Sequence, residues 1–102
     1  MRIAFSEQAT KLPASAEANL NSLANATRSD SAKSYRLQLM AYAGDQGLSS
    51  SKARRISLSR ALAVRSFLID KGVRSTQIDV RALGDKTSDK PANRVDINLA
   101  RR

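Results

Sequence analysis

The chain of 102 residues has no cysteine, no histidine and no tryptophan, and only two prolines, two tyrosines and two phenylalanines. Lacking cysteine, it has no disulfide framework, no thiolate zinc site and no cysteine nucleophile. Lacking histidine, it cannot run Ser-His-Asp or Cys-His catalysis or hold a metal through imidazole. No stretch approaches the ~18 apolar residues of a membrane-spanning helix. Nor does the start read as a signal peptide, because Met1-Arg2-Ile3-Ala4-Phe5 runs directly into polar Ser6-Glu7-Gln8. So abrupt an entry into structure leads us to expect one domain, residues 1–102, cut from a longer protein.

Acidic residues are also scarce. There are 18 Lys and Arg against 9 Asp and Glu, a formal net charge of +9. The excess is uneven: residues 1–51 carry 5 basic and 4 acidic side chains, residues 52–102 carry 13 and 5. An anionic partner that meets the second half is the direct implication. Nucleic acid is the obvious rival for such a charge. The four aromatics (Phe5, Tyr35, Tyr42, Phe67) leave little for a base-stacking platform, and no nucleic-acid motif is visible. An enzyme reading is weaker: Ser59 and Lys52 could be imagined as a Ser-Lys pair, but nothing in the sequence specifies their geometry.

Hydrophobic residues make up 41% of the chain, enough for one modest core. Arg2–Phe5 reads as a short strand. Pro13 suits the first turn of a helix, which Leu20, Leu23, Ala24 and Thr27 continue at helical spacing over Ala14–Thr27. Tyr35, Leu37, Leu39 and Ala41 alternate with polar residues as a second strand, and residues 44–51 read as a loop. The strongest helix spans about Ala53 to Lys71, with Ser57, Ala61, Val64 and Leu68 on one face and Gly72 placed to end it. Its second apolar row, Leu58, Leu62 and Ile69, is expected to lie under a neighbouring helix. Ile78, Val80 and Ala82, then Val95, Ile97 and Leu99, alternate as two further strands. The expected fold is α+β: a β-α-β-α-β-β two-layer sandwich, with a mixed four-stranded sheet and two helices on one face.

Several of these segments resemble a known family. Ile56-Ser57-Leu58-Ser59-Arg60-Ala61-Leu62-Ala63-Val64, followed by Phe67-Leu68 and Lys71-Gly72-Val73, is similar to the L-S-x-x-R-A-x-x-V…(Y/F)-L…K-G-(V/I) stretch of OmpA-like domains. These are the peptidoglycan-binding modules of OmpA, Pal-type lipoproteins and MotB-type stator proteins. Ile78–Gly84 resembles the strand that follows, and Asn93-Arg94-Val95-Asp96-Ile97 resembles the family's N-R-R-V-(E/D)-I ending with one arginine missing.

The resemblance implies a non-catalytic module without a cofactor. It would anchor an envelope protein in the periplasm by binding the diaminopimelate of the peptidoglycan stem peptide, with the parent protein attached to the outer membrane or envelope. The zwitterionic end of diaminopimelate needs an anionic acceptor beside a cationic donor, and a guanidinium suits its carboxylate. By the family's pattern the donor is Arg60, and the acceptor fifteen residues earlier is Asp45. If Tyr42 keeps the family's register, however, Gly44 takes the acidic position; if loop length is kept, Asp45 is right and the strand end holds a one-residue bulge. The family's asparagine before this stretch corresponds to Ala53, and Gly44 replaces a threonine. Arg54, with Arg55 at the helix start, is an extra candidate contact to anionic wall polymers, and Arg94 is a candidate for the same side of the site. The alternative is an OmpA-like domain that has altered or lost this ligand and binds a protein or a polyanion.

Overall fold

Local sequence explains where each element begins and ends in the computed structural model, which describes residues 1–6, 9–27, 35–44, 48–86 and 92–101. After the short strand β1 (Arg2–Ala4), Pro13 accepts from the Ala16 N–H and opens helix α1 (Ala14–Thr27). Alanine and leucine favour that helix, and Ala16, Leu20 and Ala24 form its buried stripe. Strand β2 (Tyr35–Tyr42) follows.

Helix α2 (Ser50–Asp70) starts three residues earlier than the sequence suggests. The serine run is not all loop: the Ser49 side chain accepts the Lys52 N–H at 3.2 Å and caps the helix. At the other end Gly72 has φ +99, the Gly72 N–H donates to Ile69 and the Val73 N–H to Leu68, which closes a Schellman turn. A single 3-10 turn at Ser75–Gln77 leads into β3 (Ile78–Gly84), and β4 (Arg94–Arg101) completes the sheet.

The strands lie in the order β1-β4-β2-β3. β4 is antiparallel to both β1 and β2, whereas β2 and β3 are parallel. Register places Leu37, Leu39 and Ala41 of β2 beside Leu99, Ile97 and Val95 of β4, and beside Ile78, Val80 and Ala82 of β3. Because strand side chains alternate, these residues share one face. Leu37, Leu39, Ala41, Ile78, Val95 and Ile97, with Val80 packed against them, join Leu20 and Ala24 of α1 and Ala61, Val64 and Leu68 of α2 in one core, whereas Leu99 at the far end of β4 is exposed. Both helices thus cover the same face, as the hydrophobic periodicity indicates.

The second apolar row of α2 departs from expectation. Ile69 packs against the core, but Leu58 and Leu62 are 41% and 43% exposed, and among the described residues no neighbouring helix covers them. They lie more than a third of a turn from the centre of the buried face, beyond the reach of the sheet beneath.

Candidate functional site

Arg60 is the pivot of the carboxyl end of β2. It belongs to the buried face of α2, between Ser57 and Ala61, and its side chain is wholly buried. It is therefore not a solvated helix arginine. Its Nε donates to the Ala9 carbonyl at 2.7 Å and its Nη2 to the Ser6 carbonyl at 3.1 Å. Nη1 donates to the Tyr42 carbonyl and to Asn93 Oδ1, both at 2.9 Å. The Phe5 ring lies 5.3 Å from the guanidinium carbon, close enough for a cation–π contact. These four oxygens are neutral dipoles that hold the guanidinium in one orientation. The planar fork joins the segment after β1, the end of β2 and the start of β4, which a lysine's single ammonium could not do.

Asn93 is the second organiser, and the sequence reading gave it no role beyond its place in the motif. Its Oδ1 accepts from Arg60 and also from the Gly44 N–H at 3.0 Å. One amide oxygen thus fixes the backbone at Gly44 relative to the guanidinium. Gly44 itself has no room for a side chain, since a Cβ there would stand 2.4 Å from the Ala92 Cβ. Asp45, the candidate acidic ligand, follows directly and lies outside the described residues.

Tyr42 and Arg94 occupy the neighbouring position. They are paired across β2 and β4, and the Arg94 guanidinium stacks 4.1 Å from the centre of the Tyr42 ring. Arg94 is 2% exposed, which its place at a strand end does not suggest. Its Nε meets Asp96 Oδ2 at 3.0 Å, while Arg2 holds Asp96 Oδ1 at 2.9 Å. Tyr42 is therefore gripped twice, at its ring by Arg94 and at its carbonyl by Arg60. The bulge at this end of the sheet falls in β3, where Leu83 is the extra residue between the pairs Ala41–Ala82 and Tyr42–Gly84; β2 stays in step with β4 through Tyr42.

Arg54 stands apart from this cluster. The earlier helix start puts Arg54 and Arg55 beyond the first turn of α2, so it is Lys52, within that turn, that meets the positive end of the helix dipole. Both arginines are exposed and, with Ser50, Ser51 and Leu58, line an open cavity of about 510 Å³. The Arg54 backbone touches β3: a Cβ on Gly84, whose φ is +60, would meet the Arg54 nitrogen at 3.2 Å. Ser57 closes this contact, accepting the Gly84 N–H and donating to the Arg54 carbonyl. Ala53 is wholly buried at this contact, where the family carries its asparagine. The imagined Ser59–Lys52 pair does not form, because the two lie seven residues apart on α2, about 10 Å along the axis.

Comparison with known proteins places this geometry in context. No curated protein matches the sequence. Among solved structures, the OmpA-like domain of FopA1 from Francisella tularensis superposes with a TM-score of 0.84 at 20% identity, covering 98% of this chain and 71% of that one. The peptidoglycan-associated lipoprotein of Burkholderia pseudomallei gives 0.83 at 19% identity, covering 97% and 89%. The C-terminal domain of Helicobacter pylori MotB gives 0.80 at 16%, covering 100% and 85%. At these identities the likeness is one of fold. The sequence itself carries the stronger result, for the OmpA family model matches residues 4–100, and the chain belongs to the OmpA family.

Proposed function

We propose that this chain is a non-catalytic, periplasmic module that anchors an envelope protein by binding peptidoglycan at the carboxyl end of β2. The observation that carries this reading is the convergence of the Arg60 guanidinium and the Gly44 N–H on Asn93 Oδ1, immediately before Asp45. The ligand is the diaminopimelate of the stem peptide, with Arg60 facing its carboxylate and Asp45 its ammonium. Burial supports such a role, since a charge shielded from water acts through a lower effective dielectric and is screened less by salt. Gly44 contributes backbone only, Tyr42 and Arg94 form the adjoining wall, and Arg54 lies at the periphery, where anionic wall polymers would reach it. The name of the Burkholderia relative, a peptidoglycan-associated lipoprotein, is consistent with this class of ligand.

The test is co-sedimentation with insoluble peptidoglycan of the meso-diaminopimelate type. Asp45→Ala should weaken binding roughly tenfold or more, the loss of one charge-assisted hydrogen bond. Undiminished binding by this variant and by Arg60→Lys, with both folded, would remove the site assignment. A wild-type chain that ignores peptidoglycan but binds DNA with a steep salt dependence would replace the function with polyanion binding.

A further inference from the structure

The exposed side of α2 carries a feature that the β2 site does not use. Leu58 and Leu62 stand one turn apart and open to solvent, and Arg55 and Arg65 continue the same row at either end. Lys52 and Arg54 flank it, and from Ser51 to Ile69 the sequence has no acidic residue. Where the row begins, the 510 Å³ cavity opens between Arg54, Arg55 and Leu58. The result is a short apolar ridge whose charged neighbours on α2 between Ser51 and Ile69 are all cations.

We propose that this face rests on an anionic phospholipid bilayer, with the arginines at the headgroup phosphates and the two leucines entering the interface. Charge complementarity calls for an anionic occupant and argues against a second copy, which would bring like-charged rows of two +9 chains together. Size argues against a folded protein partner. Two partly exposed leucines offer far less than the ~800 Å² per side of a stable protein interface. A bilayer needs no matching shape, and it adds about one increment of attraction per surface cation. No tryptophan is available to deepen the insertion, so attachment is shallow, reversible and sensitive to salt.

The experiment is flotation of the whole chain with phosphatidylcholine vesicles, with and without one-third phosphatidylglycerol. The chain should float with the anionic vesicles only, and added salt should release it. Leu58→Ser with Leu62→Ser, which leaves the charge unchanged, should lower partitioning roughly tenfold while peptidoglycan sedimentation persists. Arg55→Gln with Arg65→Gln should lower it by a similar factor. Arg36→Gln with Arg81→Gln, two cations of the sheet rather than of α2, should change it less than about twofold.

Equal flotation with neutral vesicles overturns the proposal. So does a leucine double variant that floats as well as wild type, or sheet variants that fail as badly as the α2 variants. Loss of peptidoglycan sedimentation in the folded leucine variant would reassign the ridge to the wall-binding site. A concentration-dependent dimer abolished by the leucine changes would hand the face to a second copy. Binding of an acidic amphipathic peptide here, with vesicles ignored, would hand it to a protein.

Discussion

Arg60→Ala is expected to cost about 3–5 kcal/mol of stability, the range for removing one partner of a buried charged network. The change takes the Arg60 hydrogen bond from the Tyr42 carbonyl, leaves Asn93 Oδ1 with the Gly44 N–H alone of its two donors named above, and releases the Ser6 and Ala9 carbonyls. It also opens a void under α2 where a large side chain is fully enclosed. Ser6 and Ala9 are not fully buried, so water can replace part of their loss; the buried Tyr42 carbonyl has no such recourse. For a chain of this size each kcal/mol lowers the melting temperature by about 4–8 °C. The thermal midpoint should therefore fall by at least about 12 °C, and the urea midpoint should fall with little change in slope. Arg60→Lys should lose about half as much, since it keeps the charge but cannot serve four diverging acceptors. A shift of under about 1 kcal/mol for Arg60→Ala would show that the fork is not a structural tie.

The second large effect concerns Gly44, which the register that keeps loop length matches to the family's threonine and the register that keeps Tyr42 matches to its acidic residue. Restoring the hydroxyl with Gly44→Thr should not restore a site. It should cost about 1–3 kcal/mol, because the new Cβ falls 2.4 Å from the Ala92 Cβ, a distance only backbone movement can relieve. That movement would also break the bond from the Gly44 N–H to Asn93. Ala92→Gly in the same chain should recover most of the loss, since the next nearest Ala92 atoms are 3.6 Å away. A double-mutant cycle by urea denaturation should give a coupling of about 1 kcal/mol or more. Additive costs would mean that the two positions do not collide.

These expectations rest on contacts of unequal visibility in the sequence. The bounds of α1 could be read, because Pro13 and the spacing of Leu20, Leu23 and Ala24 are local signals. The strands at residues 35–42, 78–84 and 94–101 followed from alternation, though not their order in the sheet, and Gly72 marked the end of α2. The start of α2 did not, because a serine run reads equally as loop or as cap until Ser49 is seen to accept the Lys52 N–H. Arg60 was legible as a candidate through its motif, but not its enclosure. Its acceptors come from residues 6, 9, 42 and 93, up to 54 positions away, and no local pattern encodes that convergence. Arg94 misled for a similar reason: a strand-end arginine looks exposed unless the cross-strand register that sets it over Tyr42 is known. Leu58 and Leu62 were legible as an apolar row, and apolarity alone does not say whether anything lies above it.

The strand order has a consequence for how the chain is made. β4 is the last of the four strands in chain order, yet it lies inside the sheet, between β1 and β2. Until it leaves the ribosome, β1 has no strand to pair with and β2 can pair only with β3. Asn93, which fastens both Arg60 and Gly44, emerges just ahead of it. Among the described strands, the parallel β2–β3 pair with α2 is thus the sheet unit that can form before β4. β1 must wait for its partner in this sheet until all the residues up to β4 have been made.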